Sequence, residues 1–340
     1  MSQRPMRVLM SFPQPRSTTN PYATLLMRAV DSTGTAQALP FAWSRAFRGD
    51  FDVFHVHWPE LLGRGRTRPR TLAKQARAMA FLGLLRARGI PVVRTAHNVA
   101  PHERGSSTEA LLLSTIDRMT AVWIVMNAQT PTPPGAAVEL IVHGDYRQWY
   151  DLDAVPSPIA GQIGFFGRIR PYKGIDQLIG AYRARGDADR HLTLRIAGAV
   201  EGQLERGQVE ELAGGDPGIS LHLQFVSDPE LIDLVGTSQL IALPYAAMHN
   251  SGAALAALSL GRPVLVPDNE VTRSLADEVG QDWVIRYAGA LTAADLTAAV
   301  RRAASAIATG APDLSHRHWD VLGAQHVAAY RRALDLKQRI

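Results

Sequence analysis

Between residues 167 and 174 the chain reads Gly-Arg-Ile-Arg-Pro-Tyr-Lys-Gly, directly after the apolar stretch Gln162-Ile-Gly-Phe-Phe166. A glycine such as Gly167 at the carboxyl end of a parallel strand lets the backbone approach a ligand, at the edge where open α/β sheets bind ligands. Arg168 and Lys173 can then neutralise a diphosphate, the arginine as a planar fork and the lysine as a point charge. A basic turn facing water is the competing reading. Further on, Leu243-Pro-Tyr245 leads to Met248-His-Asn-Ser-Gly-Ala253 and a small-residue helix ending near Gly261-Arg-Pro263. Asn250 or Ser251 at the helix N-cap, followed by Gly252 without bulk, presents backbone N–H groups and the positive helix end to an anion. Alone, that turn reads better as the ordinary cap of a core helix. With the 167–174 loop at the matching place in the strand order, the pair points to phosphate binding.

The first half carries acids and histidines instead. His55-Val-His57-Trp-Pro-Glu60 ends one strand, and Thr95-Ala-His97-Asn98, with Pro101-His102-Glu103 after it, ends the next. Loops after parallel strands emerge on one edge, so these groups converge there, with His57 and Glu60 able to reach a cleft. Glu60, His97 and Glu103 are the candidates for a general base that takes a proton from an attacking hydroxyl. Three of the cluster have a plainer reading: His55 as a packed core histidine, His57 as a hydrogen-bonded strand end, and Glu103 as the acid that opens a helix. His55 and His57 share a strand face and could pair on a metal, but no acidic cluster accompanies them, so no metal site is expected. Asn20-Pro21-Tyr22 follows the first strand on the same edge and is expected to touch the acceptor or close over the donor.

Short apolar strands alternating with amphipathic stretches position these loops, the pattern of parallel sheets wrapped by helices. Strands are predicted at Arg7–Ser11, Asp52–Val56, Pro91–Thr95 and Ala121–Met126, and again at Gln162–Phe166, Leu192–Ala197, Ser220–Gln224, Leu240–Leu243 and Pro263–Val266. The Pro-rich stretch Val155-Pro-Ser-Pro158 separates the two sets and predicts domains over 1–157 and 158–316, with 317–340 as a closing helix. A length of 340 residues suits two such domains. The Phe225-Val226 strand end could lie against a nucleobase, with Asp228 capping the next helix. Absence of cysteine excludes thiol nucleophiles and disulfide scaffolds. No apolar run reaches the ~20 residues of a membrane-spanning helix, and the start does not read as a secretory signal, so a cytoplasmic location is expected. The net charge of +5 is uneven: no carboxylate lies between Glu60 and Glu103, a stretch holding Arg64, Arg66, Arg68, Arg70, Lys74, Arg77, Arg86, Arg88 and Arg94. With Met79, Phe81, Leu82, Leu84 and Leu85 among those cations, the 64–94 segment reads either as a solvated basic face or as a peripheral membrane contact at the inner face of the cell membrane.

The order of these motifs resembles the GT-B glycosyltransferases over nearly the whole chain. Gly-Arg-x-Arg-Pro-Tyr-Lys-Gly at 167–174, Ile-Ala-Gly at 196–198 and Pro-Tyr…Ser-Gly-Ala…Leu-Gly-Arg-Pro-Val at 244–264 are similar to their donor domain. Asn20-Pro21-Tyr22, the His55–Glu60 and Thr95–Glu103 segments and Val142-His143-Gly-Asp-Tyr146 resemble the bacterial exopolysaccharide β-mannosyltransferases. The resemblance implies an α/β fold of two Rossmann-like domains facing an interdomain cleft, with an N-terminal acceptor domain and a C-terminal donor domain. It implies inverting transfer of a hexose, mannose from GDP-mannose or a sugar from a UDP donor, onto a glycan or lipid-linked oligosaccharide. It needs no further cofactor and no nucleic acid partner. Retaining members carry two glutamates where this chain has Met248 and Ala256, a departure that fits the inverting pattern and keeps open a non-catalytic nucleotide- or glycan-binding protein. A sugar-nucleotide epimerase on the same plan is the third reading.

Overall fold

The computed structural model describes residues 4–16, 20–97, 106–202, 205–246 and 248–338. The chain divides into two compact units, residues 1–144 with 317–340, and residues 145–316. The first contains β1 (Met6–Met10), α1 (Pro21–Ser32), β2 (Ala36–Leu39), α2 (Trp43–Arg48), β3 (Val53–Val56), α3 (Arg68–Ala87), β4 (Val92–Ala96), α4 (Ser107–Met119), β5 (Thr120–Val125) and β6 (Val138–Leu140). The second contains β7 (Gln162–Phe166), α5 (Ile175–Arg183), β8 (Thr193–Ala197), α6 (Arg206–Ala213), β9 (Ile219–His222), α7 (Asp228–Thr237), β10 (Leu240–Ala242), α8 (Gly252–Ser259), β11 (Val264–Pro267), α9 (Glu270–Val279), β12 (Val284–Tyr287) and α10 (Ala293–Thr309). A last helix, α11 (Trp319–Gln338), returns to the first unit.

Each unit is built on one six-stranded sheet, β2-β1-β3-β4-β5-β6 and β12-β11-β10-β7-β8-β9, with every described pairing parallel. Helices on both faces bury the central strands completely, which is why β3 and β7 are buried at every position. The strand order reverses between β1 and β3 in the first sheet and between β7 and β10 in the second. At such a switch point the loops leaving neighbouring strands part and open a crevice at their carboxyl ends. His57 and the 167–174 loop both sit at these points.

The expected junction at 157/158 lies later than the observed division between Gly144 and Asp145. Side-chain bonds explain the difference. The Tyr146 backbone N–H donates to Ser259 Oγ at 2.8 Å, Trp149 Nε1 donates to Asp228 at 2.9 Å, and Arg262 donates to the Pro156 carbonyl at 2.7 Å, which fastens residues 145–157 to the second unit. The closing helix is no separate body. α11 lies along α1 and across β3, β4 and β5, burying Trp319, Leu322 and Tyr330. A Cβ at Gly323 would stand 2.3 Å from the Ala29 carbonyl oxygen, so only glycine permits this approach of α11 to α1.

Candidate functional site

In the second unit the chain leaves β7 through Gly167, with φ +102°, whose N–H donates to the Ala197 carbonyl at 3.0 Å. Two further glycines let backbones close around it. A Cβ on Gly198 would lie 1.9 Å from the Gly167 oxygen, and one on Gly174 would lie 2.2 Å from the Pro244 oxygen. Gly174 is left-handed, φ +65°, and opens α5. The Tyr172 carbonyl accepts the Ala246 N–H at 2.8 Å, which ties the loop after β7 to the loop after β10. The expected diphosphate residues therefore share one edge. The Lys173 ammonium stands 4.8 Å above the Tyr245 ring, and burial, with help from Arg170 and Arg168, pushes its pKa down to about 8 against the opposing pull of Glu201. Arg168 is the most open of the cations, 69% exposed and 3.5 Å from Glu201. Arg170 is held by the same carboxylate at 2.8 and 3.2 Å. Glu201 was not anticipated, because its partner lies in a loop 31 residues earlier and no pattern joins the two.

Ser251 is the N-cap of α8, its Oγ accepting the Ala254 N–H at 3.2 Å, with Asn250 just before it and Gly252 as the first helical residue. The helix is apolar and buried from Ala254 to Ser259. Met248 and Ala256 are 6% and 4% exposed, so both fill space in this unit's interior. Next to the loop, a cavity of about 500 Å³ lies between β8, β9 and α7, lined by Arg195, Ala197, His222, Val226, Glu230 and Asp233. Phe225 is 69% exposed beside it. The cap of α7 is Ser227, which shares a capping box with Glu230. Asp228, expected as that cap, is already inside the helix and accepts the Trp149 Nε1 proton.

In the first unit His55, His57 and His326 are buried together, with His97 and His143 half-buried beside them. His57, expected to reach a cleft, is 1% exposed. Phe12 and Tyr22 cover its ring at 5.3 and 6.0 Å, and Ser11 Oγ, at the end of β1, accepts its N–H and donates to its carbonyl at 2.7 and 2.8 Å. Its Nδ1 is hydrogen-bonded to His97 Nε2 at 2.9 Å, and its Nε2 lies 3.4 Å from His55 Nδ1. His55 is fully buried between Tyr330 Oη and Thr95 Oγ1, each at 2.8 Å. Trp58 stacks on the His97 ring at 4.2 Å and 18°. Its φ of +43° is the one positive value outside glycine among the described residues, a strained conformation for a bulky side chain. Tyr22 stands at the centre, 4.9 to 5.5 Å from His97, His143 and Trp319, at the start of a helix that Asn20 caps. Burial is the first cause holding every one of these imidazoles neutral: it takes His55 and His57 well below their ordinary value, His97 to about 3, and His143 and His326 to about 4. Among the described residues no group of three or more His, Asp or Glu is arranged to hold a metal ion.

Glu60 sits in the short turn Pro59–Leu62 that follows His57 and Trp58, half-buried and within electrostatic reach of Arg94. Glu103, Asn98 and His102 lie outside the described residues. Tyr22 and Trp58 stand inside motifs legible in the sequence, whereas His326 and Tyr330 carry no local signal.

The basic 64–94 segment folds as α3 and its flanks, and its apolar members do not face outward. Phe81, Leu82 and Leu85 are in the core with Phe54, Val92 and Leu112, and Met79 and Leu84 are half-buried. Phe81, Leu82 and Leu85 are thereby committed to this core. Arg64 is held by Glu109 at 2.8 Å and Arg94 by Asp117. Arg68, Arg70, Lys74, Arg77, Arg86 and Arg88 remain exposed, with Leu72 among them. No helix among the described residues is long and apolar enough to cross a membrane.

A family model described as glycosyl transferases group 1 matches residues 160–306. The chain is 42% identical over 327 residues to a GDP-mannose:glycolipid 4-beta-D-mannosyltransferase of Xanthomonas campestris pv. campestris, covering 96% of this chain and 92% of that protein. In solved structures it is similar to a sucrose-phosphate synthase from Thermosynechococcus elongatus, with a TM-score of 0.60 and 14% identity over 98% of this chain and 95% of that one. A glycosyltransferase of avilamycin A biosynthesis matches with a TM-score of 0.57 and 15% identity over 97% and 98%. These two likenesses bear on the fold, and they agree with its two parallel sheets.

Proposed function

The chain belongs to the glycosyltransferase family of the Xanthomonas GDP-mannose:glycolipid 4-beta-D-mannosyltransferases and is a GT-B glycosyltransferase; on that premise we propose that it transfers mannose from GDP-mannose, with inversion, to a lipid-linked glycan. The pair of tied loops at the β7/β10 switch point carries the reading. Arg168, Lys173 and the α8 start at Ser251 and Gly252 surround one edge with cationic and N–H groups, with Gly167 leaving room for the diphosphate. As the glycosidic bond to the β-phosphate oxygen breaks, charge grows on the diphosphate, and these preorganised groups stabilise it without a metal. The nucleoside lies in the cavity at Val226, which begins at Ala197, the partner of Gly167, with Phe225 against the base.

The acceptor is assigned to the first unit. Its hydroxyl oxygen bonds to the anomeric carbon from the face opposite the departing phosphate, and its proton passes to a base. With His97 held near 3, this imidazole is neutral at working pH and serves to accept a hydrogen bond that orients the hydroxyl. Proton removal is assigned to a carboxylate, Glu60 first and Glu103 second. The exposed cations of α3 suit the anionic surface on which a lipid-linked acceptor resides.

The test is release of GDP and formation of mannosylated lipid from GDP-mannose by the full chain, beside a UDP-sugar panel. Arg168→Ala and Lys173→Ala are expected to abolish turnover and Glu60→Gln to slow it at unchanged donor affinity. Full turnover in both cation variants, or activity with UDP-sugars alone, overturns the respective assignment.

A further inference from the structure

The hydrogen-bonded file from α11 to β4, Tyr330–His55–His57–His97, has a polarity that its members' chemistry fixes. A phenol has one proton to donate, and a neutral imidazole has one N–H and one lone pair. Among the described residues His55 Nδ1 is the hydrogen-bond partner of the Tyr330 hydroxyl, at 2.8 Å, in a place with no solvent. A buried O–H left without an acceptor is costly, so Tyr330 donates and His55 Nδ1 carries a lone pair. The His55 proton is therefore on Nε2, where Thr95 Oγ1 accepts it at 2.8 Å. His57 Nε2 faces that same Nδ1 at 3.4 Å. Two lone pairs would repel there, so His57 Nε2 bears hydrogen and its Nδ1 is the acceptor. The bond of 2.9 Å from His57 to His97 then has one direction: His97 Nε2–H donates.

We propose that Tyr330 is a positioning residue that, through His55 and His57, fixes His97 in the tautomer with hydrogen on Nε2 and a lone pair on Nδ1. The reversed file would put hydrogen on His97 Nδ1 and turn that nitrogen from an acceptor into a donor. Trp58 stacks on the face of the His97 ring and Tyr22 meets it edge-on, which holds the imidazole against flipping. The inference rests on the assignment of His97 as the group that orients the acceptor hydroxyl, but the tautomer itself is independent of that assignment. It also gives α11 a part in the chemistry of residues far earlier in the chain.

The experiment is long-range proton–nitrogen NMR on the full chain labelled with ¹⁵N-histidine, with the His97 signals identified by His97→Gln. A protonated Nε2 and an unprotonated Nδ1 on His97 are expected in the unaltered protein. A proton on His97 Nδ1 overturns the proposal without any variant. In Tyr330→Phe, which keeps the ring and removes the hydroxyl, a mixture of His97 tautomers is expected, with kcat reduced about tenfold and KM for GDP-mannose unchanged. An unchanged His97 pattern in a folded Tyr330→Phe protein also overturns it. If the tautomer is as stated and His97→Gln turns over normally, the assigned role of His97 fails while the tautomer file stands.

Discussion

Gly174 offers the sharpest test of the tied loops. At Gly174→Ala the new Cβ would stand 2.2 Å from the Pro244 oxygen, and real Cβ contacts do not fall below 3.0 Å, so the two backbones must part by at least 0.8 Å. The left-handed φ of +65° adds roughly 1–2 kcal/mol for any residue with a Cβ. Gly261 separates these two costs. Its φ is +69° and a Cβ there meets nothing within 4 Å, so Gly261→Ala carries the conformational cost alone. Parting the loops lengthens the 2.8 Å bond from Ala246 to Tyr172 and withdraws Lys173 from Tyr245. A misplacement of roughly 1 Å in groups that stabilise a leaving group costs on the order of 10²-fold. Measured by calorimetric GDP affinity, GDP-mannose turnover and thermal unfolding, both variants should lose comparable stability from the shared φ, with Gly174→Ala losing more. Only Gly174→Ala should lose about 10²-fold in kcat/KM. Equal turnover in the two variants would refute the claim that contact between these loops builds the donor site.

Three other outcomes follow from charge. Lys173 is depressed to about 8 and in its proposed role would attract a diphosphate only when protonated, so kcat/KM for the donor should fall as pH rises through about 8; Lys173→Arg should remove that limb, and a flat profile in the unaltered protein would count against the role. His97, His143 and His326 have folded pKa values of about 3 to 4, below the 6.5 of a free imidazole. Between those values the unfolded chain binds more protons, so stability present above pH 6.5 should be lost on acidification toward 4, read as a falling Tm, with His326→Phe showing a shallower decline. Reversing Arg68, Arg70 and Arg86 to Glu should abolish sedimentation with anionic vesicles at low salt and leave turnover of a detergent-dispersed acceptor intact, whereas binding to neutral vesicles would point to apolar contact instead.

The central strands were legible because burial on both faces leaves near-continuous apolar runs such as Asp52–Val56 and Gln162–Phe166. Three strands were missed, β2, β6 and β12, and each lies at a sheet edge, where one side is open and the sequence need not be apolar. The loop proposed to hold the diphosphate was legible as a turn since its glycines and cations are contiguous, and Ser251 was legible as a cap from its place before small residues. The histidine file was not. His55 and Tyr330 stand 275 residues apart, and a tyrosine on a helix reads as ordinary core until the fold sets it beside an imidazole. In α3, Phe81, Leu82 and Leu85 lie among arginines along the sequence, but helical spacing sends them inward and the cations outward.

The return of α11 also bears on how the protein is made. Residues 1–144 leave the ribosome first, yet the indole of Trp319 and the phenol of Tyr330 that complete their interior are translated after the whole of the second unit. The first unit to emerge is thus the last able to close. Until then its β3–β5 face and α1 stay without their cover, a nascent surface for holding factors to shield, while residues 145–316 already have every strand of their own sheet.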